Sequence, residues 1–241
     1  MLSRIAERVS IRKPFADRGN AKSRCTHSDA VETAACLTKA RAAGLKAVLA
    51  FTLAFGAFGT TVPAHANTAH LVAQKAIHAP AGFKGLCARY SWVCTSTGQS
   101  SLSAANKRAL AESINRAVNK QVRQIEDTQQ YGKAEHWALP TRRGGDCEDL
   151  VLLKKKLLIE RGVPSQNLLI ATVLDLKMGS HAVLVFRTAK GDLILDSLTD
   201  KIVPWDKTGY TFLKLQNPKK LSKWDAILAG GVIKDRPTAS R

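Results

Sequence analysis

The clearest alternation of apolar and polar positions runs from Leu150 to Leu158. Leu150, Leu153, Leu157 and Leu158 recur at helical spacing, while Lys154, Lys155, Lys156 and Glu160 occupy much of the opposite side. The period predicts an amphipathic helix that Gly162 and Pro164 bring to an end. Upstream, Leu110, Ile114, Ala117 or Val118, Gln121 or Val122, and Ile125 keep one face of a second helix apolar, with Ser101 or Ser103 to cap it and an end near Asp127. Downstream the pattern becomes that of strands. Residues 167–175 (NLLIATVLD) form a β-branched apolar run of strand length, residues 181–188 a second, and Lys190-Gly191-Asp192 a tight turn that returns the chain along residues 192–196. Residues 205–215 read as a further strand bent at Gly209, whereas residues 67–80 and the tail beyond Trp224 carry little pattern. Residues 82–94, with Phe83, Tyr90 and Trp92, read as a compact loop over one edge of the core, and residues 129–143 as loop. Helices followed by an antiparallel sheet make the fold class α+β.

The front of the chain belongs to a different category. Residues 47–62 carry no charge, follow Arg41 and Lys46, and lead to Ala64-His65-Ala66, the small-residue pattern of a cleaved secretory signal. The apolar part is shorter than the roughly 20 residues a spanning helix needs, which favours export and cleavage after Ala66 over a retained anchor. The Arg-, Ser- and Ala-rich segment in front is explained either by an early start codon or by a cytoplasmic extension. The expected organisation is therefore an extension plus signal over 1–66 and one domain over 67–241, with a periplasmic or secreted product and no membrane span in the mature chain.

Charge and cysteine content refine this picture. The whole chain has 37 Lys and Arg against 19 Asp and Glu, and residues 67–241 keep 27 against 15. Such a basic balance admits a nucleic-acid partner. Export, and the absence of aromatics interleaved with the basic runs, argue for a basic solvated surface and no nucleic acid. Cleavage discards Cys25 and Cys36 and leaves Cys87, Cys94 and Cys147 in an oxidising compartment. Cys87 and Cys94, seven apart, are close enough to pair, which leaves Cys147 as a free thiol.

Cys147 follows Gly144-Gly145-Asp146 and opens the leucine-rich helix. The positive end of a helix favours thiolate over thiol, so this cysteine is a candidate nucleophile; the alternative is a packed core cysteine. His181 begins one strand and Asp196 ends the next, so an antiparallel hairpin sets them side by side at one end of the sheet. Cys147, His181 and Asp196 thus form a candidate set of nucleophile, base and orienter, although singly the histidine and the aspartate also read as ordinary strand-end residues. Asp146, Glu148 and Asp149 place three hard oxygen donors around Cys147. A divalent cation and simple capping of the helix both account for them, and without a cation they oppose ionisation of the thiol. Trp137 reads chiefly as core packing, with an oxyanion-site N–H as the alternative.

Four motifs, Trp137-x-x-Pro140, Gly145-Asp146-Cys147-Glu148-Asp149, His181-Ala182-Val183-Leu184 and Leu195-Asp196-Ser197-Leu198, together resemble the bacterial transglutaminase-like cysteine proteinases, which include the LapG-type periplasmic proteases. The chain departs from many members of that family at Leu150 and Ser197. The resemblance implies a papain/transglutaminase-like fold with the nucleophile at a helix N-terminus packed on an antiparallel sheet. Cys147 is then the nucleophile, His181 the general base and acid, and Asp196 the orienter, with calcium held by Asp146 and Glu148. It also implies a protein substrate such as a cell-surface adhesin, whose cutting releases biofilm cells, and an inner-membrane regulatory receptor. The expected activity is that of an exported cysteine endopeptidase working through an acyl-enzyme. A transglutaminase proper and a non-catalytic binding module of the same fold are the alternatives.

Overall fold

In the computed structural model of the protein, residues 69–233 are described. The signal stretch 47–62, the cleavage point at Ala66, Cys25 and Cys36 lie outside the described residues. Strands β1 (Lys75–Ile77), β2 (Leu168–Leu174), β3 (Ser180–Thr188), β4 (Gly191–Leu195), β5 (Val203–Pro204), β6 (Thr211–Asn217) and β7 (Lys220–Ala229) make one sheet in the order β1-β7-β6-β2-β3-β4-β5. Every neighbouring pair is antiparallel. Helices α1 (Leu86–Arg89), α2 (Ala104–Gln121), α3 (Asp127–Tyr131) and α4 (Cys147–Glu160) precede all of the sheet except β1, so the architecture is α+β.

The central strands explain why residues 167–175 and 181–188 read as continuous apolar runs. Leu168, Ile170, Ala182, Leu184 and Phe186 pack with the leucines of α4. The alternate residues Leu169, Ala171, Val173, Val183 and Val185 pack on the other face with Trp205, Tyr210 and Phe212. A sheet covered on both sides leaves no position for regular polar alternation.

Four expectations are corrected. The helix α4 is not polar on one side. It runs between β3, α2 and the 91–93 turn, and Lys154 and Lys155 are both 0% exposed. Lys156 and Glu160 pair on its outer surface. Next, α2 stops at Gln121 instead of continuing to Asp127, because the chain turns extended at Val122 and spends its backbone groups on the glycine turn before α4. There the Ile125 N–H donates to Gly145 O and the Gly145 N–H to Arg123 O, each at 3.1 Å. Third, the segments without pattern each contribute to a strand, β1 and the second half of β7. β7 is the longest in the sheet and buries Trp224 and Ile227, and β1 pairs along it. Shifts in the β6–β7 register break the period of two that would have revealed β7. The proposed 205–215 strand is likewise shorter, since Trp205–Lys207 is a 3-10 turn and the strand begins at Thr211 after the bend at Gly209.

Ser103 caps α2, its hydroxyl accepting from the Asn106 N–H at 3.1 Å. Cys87 and Cys94 form a disulfide with Cα atoms 5.5 Å apart. It clamps the segment that packs Phe83, Leu86 and Val93 into the core, a constraint worth about 2 kcal/mol for so short a loop.

Candidate active site

The glycine turn ahead of α4 is sterically required. Gly144 has φ +131°, and a side chain there would bring Cβ to 2.0 Å from Arg123 O; at Gly145 it would come to 2.5 Å from the Asp149 carboxylate. Asp146 is the N-cap, accepting from the Asp149 N–H at 3.4 Å, and Cys147 is the first helical residue. Cys147 is a free, half-buried cysteine. Its Sγ donates to Glu148 Oε2 at 2.9 Å rather than to His181. Burial, and then the Glu148 charge and hydrogen bond, push the Cys147 thiol well up, with only the Ala182 N–H on β3 pulling the other way.

His181, second residue of β3, and Asp196, just past β4, meet across the hairpin, with His181 Nε2 2.8 Å from Asp196 Oδ1. Asp196 Oδ1 also accepts from the Leu198 N–H at 3.0 Å, and Oδ2 from the Tyr210 hydroxyl at 2.7 Å. Burial alone would push the Asp196 carboxyl up, but the bonds from His181, Leu198 and Tyr210 outweigh it and hold it below the usual carboxylate range. Cys147 and His181 line one cleft of about 280 Å³ together with Glu135, Trp137, Glu148 and Ala182. The three residues picked from sequence are thus gathered at one end of the sheet, on α4, β3 and the end of β4.

Trp137 is a packing residue. It is buried, stacks edge-on against Phe83 and Trp224, and its indole N–H donates to Glu135 Oε2 at 2.9 Å. That N–H is therefore committed. Asp149 does not join the other acids around the thiol. Its Oδ1 accepts from the Ala138 N–H at 2.7 Å, tying the loop that carries Trp137 to α4.

The acid cluster fits a hard divalent cation. Asp127, Asp146 and Glu148 bring carboxylate oxygens to within 4.8 Å of one another, all three buried, and no salt bridge reaches them among the described residues. Burial and then mutual repulsion push Asp146 up to about 8, and Glu148 is also raised, chiefly by burial. Asp149 beside them is pushed up to about 8 by burial, and its Oδ2 is buried without a partner. Asp127 was missed from sequence because it reads as the end of α2, nineteen residues before Asp146. Tyr210 was missed because it sits inside a strand-like run.

A helix that opens with a cysteine and packs on an antiparallel sheet is the arrangement of the transglutaminase-like fold. The family of bacterial transglutaminase-like cysteine proteinases, BTLCP, matches residues 73–231, and the chain belongs to it. Solved structures of LapG from Legionella pneumophila are similar. The EGTA-treated form is 29% identical over 46% of this chain and 63% of that one, with a TM-score of 0.41. The calcium-bound form is 23% identical over 68% of this chain and 87% of that one, with a TM-score of 0.45. The chain thus spans about 63% of the length of the first of these. A comparison with curated proteins finds no match.

Proposed function

We propose that the protein is an exported cysteine endopeptidase with Cys147 as nucleophile, His181 as general base and acid, and Asp196 as orienter. The observation that carries this reading is the 2.8 Å contact of His181 Nε2 with Asp196 at the edge of the cleft that holds Cys147. An ionised carboxylate only accepts, so Nε2 carries the proton and Nδ1 is the basic nitrogen. Nδ1 takes the proton from Sγ, and the sulfur attacks the carbonyl carbon of the scissile peptide. Nδ1 then gives the proton to the departing amine, leaving a thioester on Cys147, and a water molecule deprotonated by the same nitrogen hydrolyses it. Asp196 accepts the Nε2 proton's hydrogen bond throughout and stabilises the imidazolium, while Tyr210 and the Leu198 amide hold Asp196 in place.

Calcium belongs in the reading, held by Asp127, Asp146 and Glu148. A calcium ion held there would supply positive charge that offsets the acids that keep Cys147 protonated. Family membership supports a polypeptide substrate, and the sequence motifs extend this to a surface adhesin and an inner-membrane receptor that regulates the enzyme. The disulfide and the signal pattern support a periplasmic or secreted location, and the family match over 73–231 supports one domain within 67–241.

The test is to incubate the exported and surface proteins of the source cell with wild type and with Cys147→Ala. A fragment generated by wild type alone is expected. Incorporation of a labelled amine without chain cleavage would make the protein an acyltransferase instead.

A further inference from the structure

A second and larger groove, of about 510 Å³, opens on the Asp196 and Tyr210 side of the hydrogen-bonded chain that ends at His181. Its wall includes Ile194, and its rim carries Leu176 and Leu198, which are 74% and 57% exposed. Three lysines, Lys177, Lys201 and Lys207, line it as well. The acids that share the lining, Asp175 and Asp196, form no salt bridge with them among the described residues. Asp175 Oδ1 is taken by the N–H groups of Lys177 and Gly179 at 2.8 Å each, and Asp196 is committed to His181, Leu198 and Tyr210. Lys207 has a loose pairing with Asp206 at 3.5 Å and is 67% exposed, and no salt bridge among the described residues includes Lys177 or Lys201.

The groove shares no lining residue with the catalytic cleft but adjoins it along the chain. The β2–β3 turn supplies Asp175, Leu176 and Lys177 to the groove and leads within three residues into Ser180 and His181, which line the cleft. An extended chain rises about 3.3 Å per residue, so a few residues of polypeptide are enough to pass from one to the other. The geometry points to this groove as the docking site for an acidic segment of the polypeptide substrate that alternates carboxylate with aliphatic side chains. The aliphatic residues lie against Ile194, Leu176 and Leu198, and the carboxylates reach the three ammonium groups. The domain's excess of basic residues draws such a segment in from a distance. Nucleic acid fits less well, because Tyr210 is buried with its hydroxyl bonded to Asp196 and offers no free face for stacking bases.

The inference rests on the peptidase reading, and the experiment separates the two. The full chain carrying Cys147→Ala, which cannot consume a substrate, is titrated into fluorescent twelve-residue peptides of alternating Glu and Leu, Ser and Leu, or Lys and Leu, read by anisotropy. The Glu/Leu peptide is expected to bind at least tenfold more tightly than the other two, weakening with salt. Adding Lys177→Glu and Lys201→Glu is expected to remove that preference. In the chain with Cys147 intact, the double substitution should leave the rate of Cys147 alkylation unchanged, which shows that the nucleophile and fold are preserved. Equal binding of the three peptides, or a preference that survives the double substitution, overturns the proposal, as does lysine-dependent binding to phosphatidylserine vesicles without peptide binding. A lysine-dependent Glu/Leu preference in a protein that cleaves no polypeptide upholds the docking site and refutes the peptidase reading alone.

Discussion

The first turn of α4 and its next two turns both bury charged side chains, but of opposite sign and with different company. In the first turn Asp146 and Glu148 gather with Asp127 while Asp149 beside them is bonded to the Ala138 N–H, and burial and repulsion push Asp146 and Asp149 up to about 8. Two turns on, burial pushes Lys154 and Lys155 down to about 7. Lys155 is satisfied inside the fold, donating to Leu168 O at 2.6 Å and to Gln216 Oε1 at 2.9 Å. Lys154 Nζ has no hydrogen-bond partner and senses only the more distant charges of Asp196 and Asp200. Neutral oxygens of the sheet thus complete one part of the helix, whereas the acidic turn beside Cys147 calls for a charge that the chain itself does not supply. Uncompensated charge of one sign, at a helix start next to a thiol, separates a working end from a structural one.

The two ends also impose opposite pH slopes on stability. Between the unfolded aspartate value of about 3.9 and the folded value of about 8, the folded cation-free protein holds more protons than the unfolded chain at Asp146 and Asp149. Their contribution is therefore present at low pH and lost as pH rises to about 8. For Lys154 and Lys155 the unfolded chain holds more protons between about 7 and the unfolded value of about 10.4, so stability rises with pH across that range.

The largest effect that could break this contrast is on catalysis. Chelation of divalent ions, or Asp146→Asn with Glu148→Gln, should lower peptide cleavage by on the order of 100-fold or more, since the thiol stays bonded to an acid or loses its cation. Added calcium should restore the chelated wild type but not the double variant. Undiminished cleavage after exhaustive chelation would reduce the first turn to a helix cap. Next in size, calcium at about 100 times its dissociation constant should stabilise the fold by about 2.7 kcal/mol. Melting curves should show a larger rise at pH 8 than at pH 5, because protons compete for the same carboxylates; the reverse order would remove the acids from the cation site.

At the lysine end, Lys155→Met should cost about 1–3 kcal/mol by leaving Leu168 O unpaired, while Lys154→Met should stay within about 1 kcal/mol of wild type, having no hydrogen bond to lose. Equal losses in urea titrations would erase the difference drawn between the two side chains. The smallest effect is on slope. Lys154→Met should flatten part of the rise in stability between pH 7 and 10, and an unchanged slope would mean that Lys154 titrates as an ordinary lysine.

Much of the site could be read from the chain because its parts are local. Gly144 to Glu148 is one turn entering one helix, and His181 and Asp196 flank a single tight hairpin, so periodicity and turn chemistry bring them to one sheet end without knowledge of the rest. Cys87 and Cys94 pair within one short loop for the same reason. The tertiary structure alone decided what depends on distant segments meeting. Lys154 and Lys155 look like a solvated helix face until α2 and the sheet close over both sides of α4. Asp127 reaches Asp146 only because α2 stops at Gln121 and the chain turns back along Gly145. Tyr210 reaches Asp196 through the bend before β6, and β1 exists only as a partner for β7, about 150 residues further along the chain. Sequence patterns report which face of a local element is apolar. What lies against that face, and which buried charges it leaves without a partner, is settled only when the chain is packed.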